Sequence, residues 1–145
     1  MSPDCVFCGI VAGQIPAEIV YEDATSVAFL DSHPVFHGHV LLCPREHRET
    51  IADLEPREIE PLFTAAQLLA KAVESAMSAE GTFVAINNRV SQTVPHLHVH
   101  VVPRRRRDGL RGFFWPRQKY QDDAERHAAG EAIRKAVEKQ LTADS

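Results

Sequence analysis

The chain has 145 residues, 44% of them hydrophobic and 25% charged, which is enough for one domain with a real core and excludes disorder. Its formal charge of −4 speaks against broad electrostatic affinity for nucleic acid or an acidic membrane. No apolar run is long enough to span a bilayer, and Met1-Ser2-Pro3-Asp4-Cys5 has no basic stretch leading into an apolar one, so neither a membrane anchor nor a secretory leader is expected.

In chain order, Cys5 to Ala12 fits a short helical turn with Val6, Phe7, Ile10 and Val11 as its apolar members, ended by Gly13. Ile19-Val20-Tyr21 and Val27-Ala28-Phe29-Leu30 read as short strands separated by the turn-forming Glu22-Asp23 region. His39 to Cys43 is a third strand, with His39, Leu41 and Cys43 on one face, Val40 and Leu42 on the other, and Pro44 closing it. The strongest helix follows: Ile59, Leu62, Phe63, Ala66, Leu69, Ala70, Val73 and Met77 recur at steps of three and four. Pro56 suits its first turn and Gly81 its end. Phe83 to Ile86 and His96 to Val102 are two more strands, and an amphipathic helix carries Ala124, Ala128, Ala132, Ile133, Ala136, Val137 and Leu141. Two runs of strands around a single helix predict an α+β fold with an antiparallel sheet.

The strand His96-Leu97-His98-Val99-His100-Val101-Val102 holds the chemistry. Alternation sends His96, His98 and His100 to one face, about 6–7 Å apart in succession, while Leu97, Val99 and Val101 anchor the other. Each imidazole can donate, accept, attack or ligate near neutral pH. Spacing leaves two chemistries open: imidazoles offered to a catalytic metal, or one imidazole as a nucleophile that forms a covalent intermediate. Cys5-Val6-Phe7-Cys8 is a thiol pair shared between zinc and redox chemistry. Three cysteines without a leader point to a reducing cytoplasm, and Cys43 reads as a buried core thiol.

Residues 96–102 fill every position of His-φ-His-φ-His-φ-φ, where φ is apolar, and in this the chain resembles the histidine triad superfamily of nucleotide hydrolases and transferases. The segments Ile15 to Asp23, Ala28 to Asp31, Gly38 to Pro44 and His47 are similar in order and spacing, and the branch that looks closest is the Hint-like one with an N-terminal C-x-x-C. The resemblance covers roughly residues 5 to 103. It implies a five-stranded antiparallel sheet with a long central helix and a C-terminal helix, and a homodimer whose sheets run together. It also implies hydrolysis at the α-phosphate of a purine nucleoside 5′-phosphate derivative, such as a dinucleoside polyphosphate, a phosphoramidate or an adenylyl sulfate. Transfer to phosphate, or nucleotide binding with little turnover, are the alternatives.

By the same resemblance His98 is the nucleophile, and His100 and His39 contact the phosphate oxygens. Gln92 and Thr93, in Ser91-Gln92-Thr93, donate to the phosphate or leaving group. Asp31 holds the ribose hydroxyls, Phe7, Ile10 and Phe29 line the base pocket, and Asn87, rather than Asn88, faces the nucleotide. Ser91 stands where the family's loop carries glycine, a departure that bears on any glycine-only backbone geometry there. A structural zinc held by Cys5, Cys8, His47 and His96 is implied, with no cofactor in the chemical step. Arg104 to Arg107 forms either a solvated charged loop or a set of cations for phosphates beyond the first, and Phe113-Phe114-Trp115-Pro116 a cap or a subunit contact.

Overall fold

The computed structural model describes residues 2–111 and 117–143, so the segment 113–116, read from the sequence as a cap or a subunit contact, lies outside the described residues. The chain divides into two compact units, Met1–Asp108 and Gly109–Ser145. In the first, α1 (Val6–Val11) precedes β1 (Ile19–Glu22), β2 (Ser26–Leu30) and β3 (Val40–Pro44), and α2 (Pro56–Ala76) leads to β4 (Gly81–Ile86) and β5 (Val99–Arg104). As expected, these five strands form one antiparallel sheet, and its order is β1-β2-β3-β5-β4.

Local chemistry explains the joints. Between β1 and β2, the Asp23 carboxylate accepts the Thr25 and Ser26 amides at 2.8 and 2.7 Å, closing the turn. Glu55 and Glu58 form a reciprocal capping box at the start of α2, with Pro56 in the first turn. The helix does not run to Gly81. It stops at Ala76, Ser78 takes the left-handed conformation (φ 51°), and Gly81 opens β4.

Alternation along β2, β3 and β5 divides the core. Ala28, Val40, Leu42, Val99 and Val101 face α2, which packs Leu62, Ala65, Ala66, Leu69 and Val73 onto them. Val27, Phe29, Leu41 and Cys43 face the other way, where α1 covers them with Phe7 and Cys8. The side-chain faces expected for the third strand are those observed.

The strand carrying the histidines is shorter than expected. It begins at Val99, so His96 and His98 precede the ladder, and His39 likewise sits one residue before β3. The cause is the turn at Pro95: the His96 amide bonds back to Val94 O (2.8 Å) and the Leu97 amide to Arg48 O (2.6 Å), outside the ladder. In the second unit, α3 (Asp123–Ala143) carries i,i+3 ion pairs, Arg126–Asp123 and Arg134–Glu131, at 3.0 and 3.1 Å.

Cys43 is fully buried, and burial, reinforced by Cys5 and Cys8, pushes its thiol up to about 12. Iodoacetamide at pH 8 is therefore expected to leave Cys43 unmodified in the native protein and to label it in urea, as peptide mass spectrometry would report.

Candidate functional site

A cleft of about 770 Å³ opens on the sheet face that α1 covers. Phe7 and Ile10 come from α1, Phe29 from β2, Asp31 from the turn after β2, Thr93 from the loop before Pro95, and His98 and His100 from the histidine segment. Phe7 meets Phe29 edge-on at 5.2 Å between ring centroids and His98 at 5.0 Å, so the apolar end of the cleft leads directly to an imidazole. Ile15, Ala17, Leu41 and Val94 complete that wall. Leu41 carried a sequence signal as the strand neighbour of His39 on the same face, Ile15 and Ala17 lay in a segment that bears the resemblance, and Val94 carried none.

Hydrogen bonding assigns the imidazole protons. His98 Nδ1 lies 2.7 Å from the carbonyl of His96, which can only accept, so Nδ1 carries the proton and Nε2 keeps its lone pair. The backbone amide of Val35 donates to His39 Nδ1 at 3.1 Å, which puts the His39 proton on Nε2. His39 Nε2 then donates to His100 Nδ1 at 3.0 Å, leaving an N–H on His100 Nε2. The row thus offers one nucleophilic nitrogen and one donor. Asp31 stands 3.6 Å from His39 Nδ1 and accepts the His33 amide at 2.9 Å. Asp31, His39 and His100 are close enough to share an ion, but with Nδ1 accepting from Val35, His39 has no second lone pair to give one.

Burial pushes His100 down to about 4, with His98 and His39 adding to the effect against the opposing pull of Asp31. Burial also lowers His39, again opposed by Asp31. Both rings are neutral at pH 7. The unfolded chain takes up these protons near pH 6.5, whereas the folded protein does so only at lower pH. Their contribution to stability is therefore complete above about pH 6.5 and is lost as pH falls toward 4. Urea midpoints are expected to drop across that window and to drop less for His100→Gln; parallel curves for the two proteins would contradict this.

The loop before the histidine segment departs from its expected role. Arg89 and Ser91 both take positive φ (69° and 60°), so the backbone adopts a glycine-like geometry in spite of the serine. Gln92 braces it, accepting the Arg89 amide at 2.8 Å and donating to Glu49 O at 2.6 Å. Asn88 accepts the Ile51 amide at 2.9 Å, and Asn87 is exposed. The cleft is lined by Thr93 but not by Gln92, Asn87 or His39, the last of which touches it through His100.

Behind the cleft, Cys5, Cys8, His47 and His96 bring their donor atoms within 4.8 Å of one another. Cys8 Sγ lies 3.2 Å from His47 Nδ1 and 3.5 Å from His96 Nδ1, Cys5 Sγ 3.5 Å from His96 Nδ1, and the two imidazole nitrogens are 3.2 Å apart. Zinc bond lengths of about 2.3 Å to sulfur and 2.0–2.1 Å to nitrogen put tetrahedral edges near 3.5 Å for S–N and 3.3 Å for N–N. The donor set fits. His96 Nε2 donates to Pro44 O at 2.8 Å, so the nitrogen turned to the cluster is the one with the lone pair, and the outer hydrogen bond orients it. His96 therefore leaves the row of His98 and His100, which removes the arrangement of three imidazoles around one catalytic ion.

The arginines sit at the far end of β5, with Arg104 five residues beyond Val99, roughly 16 Å at about 3.3 Å per residue. Arg104 pairs with Asp108 and Arg106 with Glu80, both at 2.6 Å, and Arg105 donates to the carbonyl of Met77. None of the four lines the cleft, so the solvated-loop reading is the one this unit favours.

A family model for the HIT domain matches residues 12–107. An uncharacterized HIT-like protein of Mycobacterium tuberculosis is 36% identical over 94% of both chains. The adenylylsulfatase HINT3 of Arabidopsis thaliana is 33% identical, covering 74% of this chain and 55% of the plant protein. An asymmetrical bis(5′-nucleosyl)-tetraphosphatase of Schizosaccharomyces pombe is 34% identical, covering 65% and 53%. Among solved structures, a Streptococcus mutans protein superposes with a TM-score of 0.86 at 36% identity, covering 94% of this chain and 87% of its own. A zinc-bound histidine triad protein of Mycobacterium smegmatis does so with a TM-score of 0.70 at 35% identity, covering 92% and 97%.

Proposed function

The chain belongs to the HIT domain family, and from that premise we propose that it hydrolyses a purine nucleoside 5′-phosphate derivative at the α-phosphate through a nucleotidyl-histidine intermediate. The observation that carries the reading is the tautomer of His98: Nδ1–H held by the His96 carbonyl leaves Nε2 free at the cleft. In this reading the purine lies among Phe7, Ile10 and Phe29, and Asp31 accepts from the ribose hydroxyls. His98 Nε2 attacks the α-phosphorus, an N–P bond forms, and the P–O or P–N bond to the leaving group breaks with its electron pair departing on that group. His100 Nε2–H, backed by His39, donates to the phosphate oxygen on which charge grows. Water then breaks the N–P bond and releases the monophosphate. Thr93, which lines the cleft, donates to the phosphate or leaving group in this reading, and Gln92 and Asn87 act from the loop around it.

Zinc bound by Cys5, Cys8, His47 and His96 would tie the N-terminal segment to the histidine segment and take no part in the chemical step. Similarity to the plant adenylylsulfatase and the yeast tetraphosphatase supports an anhydride or related substrate class. A homodimer whose sheets run together through β4, and a cytoplasmic site of action, complete the proposal; β4 is an end strand of the sheet, and no helix among the described residues is long and apolar enough to cross a membrane. The test is a panel of diadenosine tetraphosphate, adenosine phosphoramidate and adenylyl sulfate, quenched early and searched by mass spectrometry for adenylyl-His98. Adenosine monophosphate binding with no turnover of any member would instead mark a nucleotide-binding regulator.

A further inference from the structure

We propose that Gly9 is a positioning residue that holds the side chain of Ile15 off the cleft and so sets the room left for a base. Gly9 lies inside α1, where glycine weakens a helix relative to alanine because it has more backbone freedom to lose. Its own conformation does not call for glycine. The positive φ nearby belongs to Gly13 (75°), which turns the chain after the helix. What calls for glycine at position 9 is space. A Cβ there would meet Ile15 Cδ1 at 2.5 Å and Cγ1 at 2.9 Å, well inside ordinary contact.

The close approach is built by the chain itself. The Gly9 carbonyl accepts the amides of Gln14 (2.9 Å) and Ile15 (3.1 Å), so the chain folds back over the end of α1. With its amide held and Pro16 following, the backbone of Ile15 has little room to move. Its ethyl arm, which lies on Gly9, is the part that can yield. Ile15 lines the cleft beside Phe7 and Ile10, whereas Gly9 does not. A methyl added at residue 9 therefore turns that arm about Cα–Cβ, off α1 and across the apolar end of the cleft.

This rests on the proposed reading of the cleft as a nucleoside site, and the experiment tells the two apart. Calorimetry measures the binding of adenosine monophosphate and of ribose 5-phosphate, which lacks the base, to the wild type, Gly9→Ala, Ile15→Ala and the double variant. The carbon shift of the Ile15 δ1-methyl reports its rotamer. Gly9→Ala is expected to weaken adenosine monophosphate about tenfold, to leave ribose 5-phosphate unchanged and to move the methyl shift. Ile15→Ala should weaken the nucleotide about threefold through the contact it removes. Gly9→Ala should add nothing to that loss, because the colliding arm is gone. On the substrate panel the loss should fall in KM and spare kcat. A Gly9→Ala protein that binds adenosine monophosphate as the wild type does, or losses that add up in the double variant, overturn the inference. If only the double variant folds, an affinity equal to that of Ile15→Ala upholds it and a weaker one overturns it. If neither folds, the methyl meets something other than Ile15, and the inference is overturned. Wild-type protein that binds neither ligand counts against the nucleoside reading and the inference together, whereas nucleotide binding that Gly9→Ala leaves intact counts against the inference alone.

Discussion

Replacing His98 by alanine is expected to leave a folded protein that still binds adenosine monophosphate but turns substrate over at least about 10⁴-fold more slowly. The size of the loss follows from the division of labour in the cleft. His98 Nε2 is the one lone pair that the hydrogen-bond pattern leaves pointing away from a partner, since His39 donates from Nε2 and His100 accepts on Nδ1. Without it the apolar wall of the cleft, Asp31 and the His100 donor remain, and in the proposed mechanism these support binding and a part of the charge stabilisation, not attack. No adenylated peptide should then be recovered. His100→Gln, which removes the donor and keeps the nucleophile, should instead slow turnover by about 10²–10³-fold while the adenylated peptide still forms. A His98→Ala protein with wild-type turnover would end the covalent mechanism.

The second large effect is expected from the cluster. Purified protein should carry one zinc per chain, and the Cys5→Ser and Cys8→Ser variants none, by elemental analysis. Free zinc at a thousandfold excess over its Kd stabilises the folded state by about 4 kcal/mol. For a chain of this size each kcal/mol moves Tm by about 2–4 °C, so chelation should lower Tm by on the order of 10 °C. The loss should begin at the N-terminus. Cys5 caps α1 by accepting the Cys8 amide on its sulfur, and Phe7 and Cys8 seal the sheet face that holds Val27, Phe29, Leu41 and Cys43. Purified protein that carries no zinc and whose Tm does not move on chelation would show that the thiols are packed as small hydrophobes.

Much of this site was legible before any coordinates. Periodicity marked the strands and α2, and alternation put Leu41 and Cys43 on one face and Val40 and Leu42 on the other, because a strand repeats every two residues. The motif itself marked His98 and His100, and the resemblance supplied Asp31, the apolar residues that line the cleft and the four residues of the Cys/His cluster, which the fold gathers from three separated segments. His98 and His100 share a face as alternation predicts, but His96 and His98 lie before the strand, since the turn at Pro95 sends the amides of His96 and Leu97 outside the ladder. The helix end was misplaced because Ser78 adopts a conformation for which Gly81 looked the better residue.

The row of three histidines is thus determined by sequence as a set of residue types at a spacing, and no further. What tertiary structure decided is their inequality. Which nitrogen of each ring holds its proton depends on the carbonyl of His96, the amide of Val35 and the carbonyl of Pro44, backbone groups that any sequence would possess. Their positions come only from how the chain folds back on itself. For the same reason Arg104, Arg105 and Arg106, so prominent in the sequence, turn to Asp108, a helix-end carbonyl and Glu80 at the far end of β5.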